Sequence, residues 1–450
     1  MPTPICDFVR KYAQSGAVRM HMPGHKGAPL LGCEPLDITE IDGADELYAP
    51  ESIIAESERI AGGVFGCTTL YSTEGSSLCI RAMLYLAMQH AAERGRRPLI
   101  LAARNAHKTF VTAAVLLGFD ILWIPPQKHE SYLSCTVTPE QIAEICADTD
   151  VSPIALYITS PDYLGNVTDI AALSACCHAH DMLLIADNAH GAYLKYLPES
   201  QHPIDLGADL CCDSAHKTLP ALTGAAYLHI SDSAPEICRT RAKTAMALFA
   251  STSPSYLILQ SLDRCNEILL HGFRERLRDT VSLVDTLKSE LKATGFVLKY
   301  SEPMKLTIDA KAYGYTGTAL SDLLRLRGVI CEFHDPDYLV LMPSPYSSPE
   351  DLRLTADALC AVPQKDAITV PPPEMPAPET VCTPREAMLS TAVTLPLSEC
   401  IGRVCAEITV SCPPAVPVVV CGERITEAAA RCLRYYGVTS CAVLDKPFIQ

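Results

Sequence analysis

From about residue 70 to residue 230, short apolar runs that end in polar residues alternate with stretches whose apolar positions recur at helical spacing. This alternation predicts an α/β protein with a mostly parallel sheet. The expected strands cover 98–103, 119–124, 154–159, 182–186, 209–213 and 225–230. Polar, potentially reactive residues follow several of them: Arg104-Asn105-Ala106-His107, Ser160-Pro161-Asp162, Asp187-Asn188-Ala189-His190 and Ser214-Ala215-His216-Lys217. Open α/β sheets bind ligands at the carboxyl ends of their strands, so these tetrads are expected to face one cleft.

Helical spacing continues from about Pro254 to Lys292, with Gly295 as the expected stop. The Pro-rich stretch Val370-Pro371-Pro372-Pro373-Glu374-Met375-Pro376-Ala377-Pro378 resists regular structure and reads as a semi-rigid linker. The expected organisation is an N-terminal arm (1–50), a large domain (51–290), a small α/β domain (291–365), a linker (366–385) and a C-terminal domain (386–450). A chain of 450 residues is indeed long for one compact core.

Composition narrows the function classes. Hydrophobic residues make up 48% and charged residues 20%, which provides a core and gives no sign of overall disorder. A formal charge of −16 with no clustered Lys and Arg disfavours nucleic acid and anionic membrane as partners. It is compatible with a cationic small molecule. The 21 cysteines form no C-x-x-C pair, so reduced thiols are expected rather than a disulfide framework or a zinc ribbon. Residues 1–16 lack a basic segment followed by an apolar run, and no apolar run is long enough to span a bilayer. The expected location is the cytoplasm.

Asp187 and Lys217 each sit at the end of a predicted strand. Together they supply what a pyridine aldehyde cofactor needs, a lysine to form the imine and an aspartate to hold the ring nitrogen protonated. Taken singly, an Asp or Lys at a strand end is more often solvated or paired. Glu74-Gly75-Ser76-Ser77 opens an apolar helical stretch through Leu78, Ile80, Leu84 and Leu86. It suits a phosphate, because glycine admits close backbone approach and the first N–H groups of a helix attract anions; an ordinary serine cap is the plainer reading. Ser214 is a third candidate donor. His107 is placed to stack on a cofactor ring, and His216 to bond its phosphate or move a proton, although a lone histidine is more often structural. His21 and His25 have metal-ligand spacing, but Pro23 and Gly24 between them and the lack of a third ligand argue against a metal site.

Several motifs in one order resemble the ornithine/lysine/arginine decarboxylases of the fold-type-I pyridoxal-5′-phosphate (PLP) enzymes, in their short form without an N-terminal wing domain. They are His21-Met22-Pro23-Gly24-His25-Lys26-Gly27, Asp37-Ile38-Thr39-Glu40, Arg104-Asn105-Ala106-His107-Lys108-Thr109, Ser214-Ala215-His216-Lys217-Thr218 and Ser251-Thr252-Ser253-Pro254-Ser255-Tyr256. The resemblance spans nearly the whole chain. It implies a PLP-dependent transferase-like large domain and smaller α+β C-terminal domains. It further implies Lys217 as the Schiff-base lysine, Asp187 as the pyridinium partner and His107 stacked on the ring. Gly75, Ser76, Ser77, Ser214 and His216 would complete the cofactor site. Thr252 would reach the phosphate of a neighbouring subunit, making the active unit a homodimer or a higher homo-oligomer. Pro413-Pro414-Ala415-Val416-Pro417 and Cys421-Gly422-Glu423 resemble the family's C-terminal domain, with Glu423 the candidate for substrate binding.

The chain departs from the family at Asn188, where glutamate is common, at Gly224, where glutamine is common, and at Glu74, where asparagine is usual. The activity implied is loss of CO₂ from arginine, lysine or ornithine, with His216 or Lys217 returning the proton to Cα. Competing readings are an aminotransferase or lyase of the same fold, since the Asp and Lys serve any Cα carbanion, and a catalytically silent regulatory homologue.

Overall fold

The structure, a computed structural model, describes residues 2–127, 130–148, 152–300, 302–408 and 414–446. Pro413 of the C-terminal motif lies outside the described residues. Seven strands are β1 (Thr68–Ser72), β2 (Leu99–Ala103), β3 (Asp120–Ile124), β4 (Ala155–Thr159), β5 (Leu183–Asp187), β6 (Leu210–Asp213) and β7 (Ala226–Ile230). They form a mostly parallel sheet in the order β1-β7-β6-β5-β4-β2-β3. β7 runs antiparallel to both its neighbours, β1 and β6, whereas β5 is parallel to β6, and β2 is parallel to β3 and β4. Strands covered on both faces read as continuous apolar runs, as in β5, where every residue is buried. This is the α/β architecture expected from the sequence.

The chain divides into two compact units, Met1–Arg97 with Ile170–Leu277 and Pro98–Asp169 with Arg278–Gln450. The first holds β1, β5, β6 and β7. Its central element is the helix Gly75–Glu93, which buries Leu78, Ile80, Met83, Leu84 and Leu86. It packs on β5, β6 and β7 and on the short helices Glu236–Thr240 and Ala242–Ala247. Each such apolar side chain contributes about 1.5–3 kcal/mol when removed from water.

The second unit holds β2, β3 and β4 and a separate antiparallel sheet. That sheet comprises β8 (Val297–Lys299), β9 (Leu306–Asp309), β10 (Phe333–His334) and β11 (Tyr338–Leu341), ordered β10-β11-β9-β8. A third pairing joins β12 (Ala392–Pro396) to β13 (Ser440–Leu444). One apolar cluster in this unit unites Leu133 and Leu164 with Phe333, Val340, Val419, Leu433 and Val443. The Pro-rich stretch 370–378 contains neither helix nor strand.

The helical region expected over 254–292 is two helices, Tyr256–Leu270 and Phe273–Ala293. They are separated at His271 and Gly272, and Gly272 takes φ +84°, a conformation that ends a helix and favours glycine. Among the described residues no helix is long and apolar enough to cross a membrane.

Candidate active site

β5 and β6 run parallel with Asp187 opposite Cys212, so their carboxyl ends emerge side by side in the first unit. Asp187 is the last residue of β5. Its Oδ1 accepts the Ala189 N–H at 3.2 Å and the Cys212 thiol at 3.7 Å, and the residue is 2% exposed. Ser214 follows β6 directly, and Lys217 stands in the short helix Ala215–Thr218. The turn after β5 folds back so that His190 Nε2 lies 3.0 Å from Lys217 Nζ. His190 is buried and Lys217 half-buried. The sequence placed His190 in a reactive tetrad but gave it no role; its position three residues after Asp187 was the available signal.

A hydroxyl cradle lies in the same unit. Ser214 Oγ donates to Ser76 Oγ at 2.8 Å, which joins the end of β6 to the first turn of the helix Gly75–Glu93. Ser77 is in the same turn. A first turn carries N–H groups without an intrahelical acceptor and therefore favours an anion. Glu74, unusual at its position, accepts the Ser251 N–H at 2.7 Å and so ties the segment carrying Thr252 to this turn. Thr252 itself is exposed. Gly224 also has a local reason. Its φ is +96°, an added Cβ would lie 3.1 Å from the Thr73 carbonyl oxygen, and its own carbonyl accepts the Gly75 N–H at 2.8 Å.

His216 is half-buried, and its Nδ1 bonds the Ala225 carbonyl at 2.9 Å. Nδ1 is thus the protonated nitrogen of the neutral ring. Burial lowers its pKa and the adjacent Lys217 lowers it further, against the opposing Ala225 bond, so the neutral ring is favoured. Asn188 is fully buried and donates to Asp213 Oδ1 at 2.6 Å. Oδ2 of Asp213 meets both His202 Nε2 and His229 Nε2 at 3.1 Å. Burial would raise the Asp213 carboxyl, but His202 and His229 outweigh it and hold the group well below the ordinary carboxylate range. Asn188 therefore anchors the residue after Asp187 to the interior.

His107 belongs to the second unit and caps the helix Lys108–Leu117, its Nδ1 accepting the Thr109 N–H at 3.2 Å. In the same unit Glu423 is 4% exposed and bonds Arg104 through both oxygens, at 2.8 and 2.7 Å. Its Oε2 also accepts the Val420 N–H at 2.8 Å. The Arg104 guanidinium lies 4.8 Å from the Trp123 ring centroid and donates to the Val418 carbonyl. This pair fixes 418–423 against the residue that follows β2. His21 bonds Tyr12 and His25 bonds Asp37.

A phosphorylated pyridine aldehyde fits the first unit's site. One lysine amine, one buried carboxylate at the neighbouring strand end and a cluster of hydroxyls on a helix N-terminus are the groups it requires. The fold is that of a fold-type-I α/β enzyme. The lysine decarboxylase of Francisella novicida superposes with a TM-score of 0.79 at 16% identity, covering 98% of this chain and 81% of the other. Lysine decarboxylase A of Pseudomonas aeruginosa gives 0.79 at 19% identity, covering 96% and 75%.

Residues 3–313 match the Orn/Lys/Arg decarboxylase major domain and residues 370–445 its C-terminal domain, so the chain belongs to the Orn/Lys/Arg decarboxylase family. The arginine decarboxylase of Bacillus subtilis is 28% identical over 461 aligned positions, 94% of this chain and 91% of the relative. That of Halalkalibacterium halodurans is 26% identical, covering 95% and 91%.

Proposed function

We propose that this protein is a PLP-dependent decarboxylase of a basic amino acid, with arginine the preferred substrate. The observation that carries the reading is Lys217 Nζ 3.0 Å from His190 Nε2, at the sheet end shared with Asp187. Arginine is favoured because near full-length relatives from Bacillus and Halalkalibacterium are named arginine decarboxylases.

When bound, PLP supplies an electron sink for the pair left as the Cα–carboxylate bond breaks. Lys217 is the covalent anchor. Ser76, Ser77 and Ser214, with the backbone at Gly75, hold the phosphate; Asp187 keeps a proton on the ring nitrogen; and His107 lies against the ring. His190 accepts the proton that Lys217 must shed to act as a nucleophile. His216, neutral through burial, is the candidate to deliver a proton to Cα, with Lys217 the alternative. The net reaction takes up one proton and releases CO₂ and agmatine. Glu423 remains the candidate for the substrate's distal cation, with Arg104 its resting partner. Thr252 completes the phosphate site of a second subunit, so the active form is at least a homodimer. The location is the cytoplasm, and the product feeds polyamine synthesis.

The test is product analysis. Purified protein with PLP is incubated separately with arginine, lysine and ornithine, and CO₂ and amine are quantified. Agmatine and CO₂ in equal amounts are expected from arginine. A keto acid from any of the three, or no product, would overturn the reading.

A further inference from the structure

Away from the residues assigned to the reaction, the second unit encloses a recess of about 520 Å³. It lies among β10, the helix Gly317–Arg325, Tyr132 and the end of the helix Glu427–Tyr435. Its walls are aromatic, with Tyr132, Phe333, Tyr435 and Tyr436. Tyr132 and Tyr436 have ring centroids 4.3 Å apart at 47°.

Asp335 lies in this wall and is 7% exposed. Its Oδ1 accepts the N–H groups of Asp337 and Tyr338, each at 2.7 Å, but its buried Oδ2 has no hydrogen-bond partner among the described residues. Behind it, Asp337 Oδ1 receives Lys311 Nζ and the Tyr435 hydroxyl, both at 2.6 Å, and Asp337 Oδ2 is likewise buried without a partner. Glu332 adds a carboxylate at the rim. The one guanidinium on the lining, Arg325, is exposed and paired with Asp322. A buried carboxylate oxygen with nothing to accept from is costly unless a donor arrives. Burial, opposed by the two N–H groups, pushes the Asp335 carboxyl up to about 7, which marks how poorly its charge is met.

We propose that this recess is a second binding site for a small organic cation, a primary ammonium or guanidinium of the size of the reaction's amine product. The carboxylates pair with the cationic head, and the tyrosine and phenylalanine faces take both the charge and the alkyl stem. A bare divalent ion fits less well, because it demands a shell of oxygen ligands. The choice of an amine product as the occupant rests on the decarboxylase reading.

The experiment uses the full protein loaded with PLP and treated with borohydride, so that the imine at Lys217 is closed. Calorimetric titration with agmatine is expected to show one saturable site per chain. N-Butylurea, its uncharged analogue, is expected not to bind. Asp335→Asn keeps an oxygen for the two N–H groups and is expected to weaken agmatine at least tenfold, with turnover of saturating arginine unchanged. Glu332→Gln, at the exposed rim, carries the test should Asp335→Asn not fold, and is expected to weaken binding threefold or more. No saturable binding by the wild type, or wild-type affinity in the folded variants, would overturn the proposal. Failure of the decarboxylase reading would appear separately, as no release of CO₂ and agmatine from arginine by the same PLP-loaded protein before reduction.

Discussion

His190 Nε2 and Lys217 Nζ stand 3.0 Å apart at the ends of neighbouring parallel strands. A lysine meant to react near neutrality needs a base within hydrogen-bond reach, and this histidine is one. His190→Phe is expected to lower kcat about 100-fold while PLP remains on Lys217. The absorbance of the lysine-bound cofactor should also titrate at a shifted pH. An unchanged titration midpoint with unchanged turnover would reduce His190 to a packing residue.

The Arg104–Glu423 pair is 4–5% exposed on both sides, so removing one charge strands the other in the interior. Glu423→Gln is expected to cost about 3 kcal/mol of stability, read from urea unfolding. If Glu423 also meets the substrate's distal cation, KM for arginine rises at least tenfold. A KM equal to that of the wild type would confine the residue to bracing 418–423.

Asp213 binds Asn188, His202 and His229 at once, without solvent exposure. Its folded pKa is depressed, so its stabilisation is complete above the unfolded carboxyl value of about 3.9 and fades as pH falls through the folded value. Asp213→Asn is expected to lose about 3 kcal/mol at pH 7, with the gap to wild type narrowing below about pH 4. A gap that stays constant on acidification would rule out an ionised Asp213 as its source.

Much of this architecture is legible in the chain. The runs at 98–103, 119–124, 154–159, 182–186, 209–213 and 225–230 each become a strand displaced by no more than one residue. They are legible because strands of a covered sheet are continuous apolar runs with sharp ends. β1 escaped because Thr-Thr-Leu-Tyr-Ser is mixed in character and gains its place only by antiparallel pairing with β7. The break at His271–Gly272 escaped because apolar spacing resumes almost in phase beyond it.

At the site, Asp187 and Lys217 were readable as residues at strand ends. The approach of His190 to Lys217 depends on how the turn after β5 folds back, which spacing does not encode. The partners of Glu423 and Glu74 are likewise tertiary: Arg104 is 319 residues distant from Glu423 in sequence, and the Ser251 N–H is 177 from Glu74.

Ser251 bonds Glu74 at the head of the helix Gly75–Glu93, and the adjacent Thr252 is exposed. If Thr252 serves a partner subunit, an inactive Lys217→Ala chain and an inactive Thr252→Ala chain should restore activity when mixed. A heterodimer then contains one site with both residues intact. Recovery is expected towards one quarter of wild-type activity as statistical exchange nears completion. With exchange confirmed by differently tagged chains and each parent inactive, no recovery would contradict a shared site.

The central claim is that Lys217 carries the cofactor, and borohydride reduction of the PLP-loaded protein followed by peptide mapping tests it most directly. The account predicts a reduced pyridoxyl group on the peptide containing Lys217, and its loss together with the visible absorbance in Lys217→Ala. Recovery of that group on any other lysine would contradict the account.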